Sequence, residues 1–213
     1  MTQTQWISRV FKPLAFLLCL LPLGLLLLNF LRETLSVNPL DDITDETGTW
    51  TLRFLMITLA VTPLRKITGW NFLTRFRRMT GLFAFLYGSL HFFTYLYFDK
   101  FFEWGEIVDD VGKRRFILVG FTALMLMVPL AATSLDVMIR WMGGKRWRLL
   151  HRLVYVSAIC GVVHYLWLVK ADTSRPLTYG AILAFLLGYR LWDAFRPKAA
   201  TQKTAAARNV NPG

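Results

Sequence analysis

The sequence is short of charge, cysteine and histidine, and each shortage narrows what the chain can be. Only 18% of its 213 residues are charged while 55% are hydrophobic, against about a quarter charged and 45–50% apolar in a soluble domain. With a mean hydropathy of +0.43, the apolar surplus has to face something other than water, and a bilayer meets that need. Cys19 and Cys160 both sit inside apolar runs. They are too few for a disulfide framework or a thiolate metal site and read as small apolar side chains. No G-x-G-x-x-G occurs, so a nicotinamide or flavin domain of its own is not expected, and reductant has to come from the membrane or a separate protein. Acidic residues are scarcer than basic ones, 13 against 25, for a net charge of +12. In a soluble protein that balance would suggest nucleic acid, but a run such as Pro13 to Leu28 has no place in a nucleic-acid module, so none is expected as a partner.

Crossing about 30 Å of hydrocarbon takes roughly 20 helical residues. Runs of that kind fall at about 13–31, 50–64, 79–97, 116–134, 149–169 and 177–195. They predict an all-α integral membrane bundle of six transmembrane helices in one domain, residues 1–198, followed by a disordered cytoplasmic tail, 199–213. Pro63, ahead of Leu64-Arg65-Lys66, marks the expected exit of the second span. The first run is followed by no small-residue cleavage site and is expected to be retained. Lys and Arg collect in cytoplasmic loops. With the N-terminus inside, segments 32–53, 98–115 and 170–176 lie outside with 11 acidic and 8 basic residues, a net of −3. The inner remainder holds 2 acidic and 17 basic, a net of +15. Both termini are therefore predicted to be cytoplasmic. Residues 135–148 and 98–110 mix aromatic and charged residues as interfacial chain does, the former at an anionic membrane lipid surface. No repeat, coiled coil or Gly-rich phosphate loop is apparent.

All three histidines, His91, His151 and His164, fall in predicted spans, where ionisable side chains are costly and usually mark function. Spans 3 and 5 run the same way. His91 lies about 18 Å and His164 about 22 Å from the inner end of its span at 1.5 Å per residue. Two imidazoles at one depth on parallel helices suit the two axial positions of a haem iron. Zinc would need four ligands, and no Cys, Asp or Glu accompanies either histidine in its span. His151 sits near the inner face and, 13 residues before His164, points roughly 140° away from it around a straight helix. Either Gly161 distorts the helix or the two serve different sites.

Taken in order, Thr47-Gly48 through Thr62-Pro63-Leu64-Arg65, Arg77-Arg78-Met79-Thr80-Gly81 through His91, Trp147-Arg148-Leu149-Leu150-His151 through Tyr155, and His164-Tyr165-Leu166-Trp167 through Lys170 resemble the MsrQ (YedZ) family of the ferric-reductase-like transmembrane superfamily. The resemblance covers about residues 10–196. It implies a bacterial inner-membrane subunit that binds b-type haem and FMN. Such a subunit takes electrons from the quinol pool, or from a flavin reductase, and passes them to a periplasmic molybdopterin-containing methionine sulfoxide reductase that repairs oxidised proteins. His91, His151 and His164 match the family's histidines. Members elsewhere in the superfamily carry two histidines on span 3, and Arg77 fills the inner position here, so a second, inner haem stays open. Arg53, expected about one turn inside the outer end of span 2, is placed either to pair with a haem propionate or to snorkel to the surface. Arg77, Arg78, Arg148 and Arg152 are either ligands for a flavin phosphate or propionate, or ordinary positive-inside residues. Two other functions compete with the electron-transfer subunit: a stand-alone transmembrane ferric or oxygen reductase, and a haem-free carrier.

Overall fold

Proline, glycine and charge set the helix ends. The computed structural model of the protein describes residues 3–195, and all regular structure among them is helical. The boundary expected at residue 198 and the tail 199–213 lie outside the described residues. A first turn, α1 (Gln3–Trp6), runs through a π-helical turn, Ile7–Phe11, into α2 (Lys12–Leu31). Then come α3 (Pro39–Thr68) and α4 (Thr74–Thr94), the latter continued by a π-turn, Tyr95–Asp99. A short α5 (Trp104–Lys113) precedes α6 (Arg115–Ala132), and α7 (Asp136–Met142) and α8 (Gly144–Leu150) lead into α9 (Leu153–Leu168) and α10 (Ser174–Phe195).

Four stretches, Arg9–Leu31, Asn71–Asp99, Arg115–Ala132 and Gly144–Leu168, are long and apolar enough to cross a membrane. Helices α3 and α10 have the length, 30 and 22 residues, but no stretch of them is apolar enough to join these four. The two extremes are α2 and α3. Cys19 is the one residue of α2 that is buried, and apart from Leu20, Leu23 and Leu26 its Leu and Phe side chains are exposed, as lipid-facing chain should be. Nine residues of α3 are buried. Its surface meets other helices, so it need not be apolar all round.

The structure corrects the second predicted span. Residues 50–64 are the middle of α3, which begins at Pro39 with Asp41 and Asp42 in its first turn, a favourable helix start. It ends at Gly69, whose φ of 75° closes it. Pro63 is not the exit. A proline has no N–H to give the carbonyl four residues back, and the Leu59 carbonyl accepts instead from Arg190 Nη2 at 2.5 Å. Span 5 stands as one candidate crossing, Gly144–Leu168, with a turn at His151 and Arg152 between α8 and α9. The interfacial segments become α5 and the α7–α8 pair. Between the π-turn and α5, Phe101 and Phe102 adopt φ of 45° and 61°, a left-handed reversal costing about 1–2 kcal/mol per residue.

Two helical hairpins dominate the packing: α3 lies along α4, and α6 along α9, with α4 also against α6 and α10 against α3 and α9. Hydroxyls tie them. Thr58 donates to Thr80 at 2.9 Å and Thr44 to Thr94 at 3.0 Å across α3–α4, while Ser157 donates to the Ala123 carbonyl at 2.9 Å across α9–α6. Phe54, Leu59, Phe83, Ala84, Tyr87 and Ala158 fill the centre. Tyr87 also fastens α2. Beside Pro22 its hydroxyl accepts from Leu23 N–H and donates to the Cys19 carbonyl, both at 3.0 Å, so it replaces one rung of that helix's ladder.

Candidate cofactor site

Each hairpin seats one histidine in the same way. In an α-helix residues four apart share a face. On α3 the Thr44 carbonyl and Gly48 share one, and on α6 the Phe116 carbonyl and Gly120 do. His91 of α4 bonds through Nδ1 to the Thr44 carbonyl at 2.9 Å, and His164 of α9 to the Phe116 carbonyl at 2.7 Å. A carbonyl only accepts, so Nδ1 carries the proton in both rings and Nε2 keeps its lone pair. The glycines then lie flat against the rings. A Cβ on Gly48 would stand 3.0 Å from His91 Nδ1, and one on Gly120 only 2.5 Å from His164 Nδ1.

The two imidazoles face each other, ring centroids 6.0 Å apart and planes at 78°. They line a cavity of about 350 Å³ walled by Leu52, Leu55, Phe92, Phe121, Leu124 and Met127, with glycines at 48, 88, 120 and 161. Asp45, Asp99 and Arg114 are its charged lining residues. A metal–imidazole nitrogen bond is about 2 Å, with the ring centre about 1 Å farther out, so two imidazoles on opposite sides of one metal stand about 6 Å apart. The observed spacing fits. A bare ion would need three or four protein ligands, and no group of three or more His, Cys, Asp and Glu suited to a metal occurs among the described residues. Two opposed imidazoles with apolar walls and missing side chains suit a metal already held in a flat macrocycle.

The other candidates lie elsewhere. His151 caps α8, stacks on Trp147 at 3.9 Å and contacts Thr133 Oγ1 through Nε2 at 3.2 Å. It is within electrostatic reach of Arg77 and Arg78, and neither it nor Arg77 lines the cavity. Arg53, expected near the outer end of its helix, sits in mid-helix because α3 starts at Pro39. Its guanidinium lies 4.5 Å over Trp50, its Nε donates to the Tyr179 hydroxyl at 3.3 Å, and it too is outside the cavity lining. Arg114 is the one Lys or Arg that lines the cavity. It pairs with Asp110, which also accepts from Lys100 Nζ at 2.8 Å. That ammonium holds the Asp110 carboxyl below its ordinary range, and Asp110 holds Lys100 above its own. Arg114 and the two carbonyl–glycine seats were not foreseen from the sequence. The histidine helices carry a repeat of their own, Gly88-Ser89-Leu90-His91 and Gly161-Val162-Val163-His164, whose glycines also line the cavity.

Residues 47–162 match the family described as the ferric reductase like transmembrane component. The protein-methionine-sulfoxide reductase heme-binding subunit MsrQ of Herminiimonas arsenicoxydans is 47% identical over 204 residues, 95% of this chain and 94% of that protein. Proteins of the same name are 49% identical in Rhodospirillum rubrum, over 89% of this chain and 91% of the relative, and 50% identical in Azospira oryzae, over 87% and 80%. No solved structure matches the chain.

Proposed function

The chain belongs to the MsrQ family within the ferric-reductase-like transmembrane proteins, and from that premise we propose that it is the haem-bearing electron carrier of a protein-methionine-sulfoxide reductase. It is a multi-pass protein of the bacterial inner membrane. In this reading six helices, α2, α3, α4, α6, α9 and α10, span the membrane with both termini cytoplasmic. His91 and His164 would hold one b-type haem toward the periplasmic side, and a second, inner haem stays open. Electrons come from the quinol pool or a flavin reductase and leave to a periplasmic molybdopterin-containing subunit that reduces methionine sulfoxide in oxidised proteins. FMN enters as a second cofactor by family resemblance.

When bound, the haem iron supplies reversible one-electron exchange. The chain does the rest. The Thr44 and Phe116 carbonyls hold both rings in the Nδ1–H form, so that each Nε2 lone pair is available, and the bond to the carbonyl fixes the ring and raises its basicity. Gly48 and Gly120 let the neighbouring helix come close enough to orient the rings. The apolar walls keep water out, and Arg114 offers a guanidinium to an acidic edge of the macrocycle. With both imidazoles as its ligands the iron would offer no site to a substrate, so methionine sulfoxide would be reduced on the partner.

The single observation carrying this reading is the opposed, 6.0 Å pair of imidazoles whose Nδ1 atoms are both spent on carbonyls. The visible spectrum of detergent-purified protein, oxidised and dithionite-reduced, tests it. Sharp α and β bands on reduction are expected. A preparation that stays colourless after haem supplementation overturns it and leaves the carrier.

A further inference from the structure

At the other end of the bundle from α5, the guanidinium groups of Arg65, Arg77 and Arg190 have no carboxylate of the described residues paired with them. Arg190 of α10 donates from Nη1 to the Tyr155 hydroxyl at 2.5 Å and from Nη2 to the Leu59 carbonyl at 2.5 Å. Its Nε is buried and has no hydrogen-bond partner. Arg77 of α4 lies within electrostatic reach of Arg190, of Arg65 on α3 and of Tyr155 on α9. The two acidic residues that the charge pattern leaves on this side are already engaged, Asp193 by Lys66 and Asp136 by Arg78. Among the described residues, no carboxylate lies within ion-pair distance of Arg65, Arg77 or Arg190.

Three like charges from three helices repel, and a buried N–H without an acceptor is expensive in a protein interior. Arginines at membrane depth ordinarily pair with an anion or reach water. One phosphate group would answer all of these at once, because its several oxygens accept from several guanidinium forks in parallel. The Tyr155 hydroxyl, which accepts from Arg190, keeps its own proton to donate. On the membrane topology proposed above, this end lies at the cytoplasmic headgroup layer, where basic pockets between spanning helices meet anionic lipid.

We propose that Arg65, Arg77 and Arg190, with Tyr155, form a binding site for one phosphate group, carried by an anionic phospholipid or by a soluble phosphate ester. The site rests on that topology, but not on the haem.

The test uses full-length protein, purified in phosphate-free buffer and stripped of lipid, with phosphatidylglycerol, phosphatidylcholine and inorganic phosphate as probes. Retained lipid is read by native mass spectrometry and stabilisation by the thermal midpoint. Phosphatidylglycerol is expected to stay bound one to one and raise the midpoint, and phosphatidylcholine to do neither. Arg65→Gln and Arg77→Gln, which remove no hydrogen bond to the rest of the described chain, should each weaken phosphatidylglycerol binding about tenfold, the equivalent of one charge-assisted contact. Arg190 is left intact because it also satisfies the Leu59 carbonyl. Displacement of the lipid by inorganic phosphate assigns the site to soluble phosphate esters, and failure to displace it assigns the site to lipid. Equal binding of the two lipids, no binding of either lipid or of inorganic phosphate, or wild-type binding by the Arg65→Gln/Arg77→Gln double variant would overturn the proposal. The Soret band is read on the same samples. A coloured wild-type protein that ignores both phosphatidylglycerol and inorganic phosphate sinks this site alone, while a colourless one that binds either sinks the haem reading and leaves this site standing.

Discussion

On the topology proposed above His91 and His164 are the outer pair of histidines and His151 the inner one, and they differ in which ring nitrogen is left free. His91 and His164 give Nδ1–H to backbone carbonyls and keep Nε2. At His151 the acceptor is a hydroxyl whose own proton goes to the Pro129 carbonyl at 2.6 Å, so Thr133 Oγ1 accepts from Nε2–H. The ring is then pinned by Trp147, whose Nε1 donates to the Thr133 carbonyl at 2.9 Å. The outer imidazoles are oriented and left with a lone pair beside a cavity. The inner one is spent on closing the break between α8 and α9. An identical side chain at membrane depth becomes a ligand or a clasp according to what its neighbour can accept.

Breaking that difference outright gives the largest effect. His91→Ala or His164→Ala should abolish haem binding, whereas His151→Ala should keep it and lose only stability. Haem per protein, measured as the pyridine haemochrome, decides. Loss of haem in His151→Ala with retention in either of the others would reverse the assignment. A subtler change leaves the ligands and disturbs their seats. Gly120→Ala places a Cβ at 2.5 Å from His164 Nδ1 and Gly48→Ala one at 3.0 Å from His91 Nδ1. The first cannot be absorbed without turning the ring off the Phe116 carbonyl. Haem affinity should fall about 10–100-fold in Gly120→Ala, the usual cost of losing a partner of a ligand, and only slightly in Gly48→Ala. Equal losses would mean that the rings are not held by these contacts.

Four of the six expected spans and the depth match of His91 with His164 are legible in the sequence, because apolar runs and rise per residue need no tertiary information. The limits of α3 are not. Asp41, Asp42, Asp45 and Glu46 read as loop, although Pro39 followed by acids is a helix start. Pro63 reads as an exit because nothing local reveals that Arg190, 131 residues from Leu59, takes up the orphaned carbonyl. The cradles are harder still, since a backbone carbonyl and an absent Cβ leave little chemical mark. The sequence reads as free of repeats, yet the two Gly-x-x-His elements with Gly48 and Gly120 opposite them are one seat built twice. A repeat of so few positions per helix is lost among interchangeable apolar residues.

At the inner end, Thr133→Val removes the acceptor for His151 Nε2–H and should cost about 1–3 kcal/mol through the unsatisfied donor. The thermal midpoint should drop while the Soret band stays unchanged, and a shifted Soret band would show that His151 touches the haem after all.

The smallest effect expected concerns pH at the outer end, where Arg114 beside the cavity is held by Asp110 of α5. Asp110 is depressed by Lys100, so its contribution is complete above the ordinary carboxylate value, about 4, and is lost as pH falls through the lower folded value. Lys100 is raised by the same contact, so its contribution is complete below the ordinary lysine value, about 10.4, and is lost only as pH climbs through the higher folded one. Attachment of α5 should therefore be flat across the neutral range and loosen only in acid below about pH 4, or in strong base. Proteolytic sensitivity of the 98–115 segment against pH measures it. Asp110→Asn should make the segment sensitive at every pH and remove the acid limb. Loosening between pH 6 and 8 would instead implicate a histidine, which the outer end can supply only by releasing a ring from the Thr44 or Phe116 carbonyl, and haem would then leave over the same range.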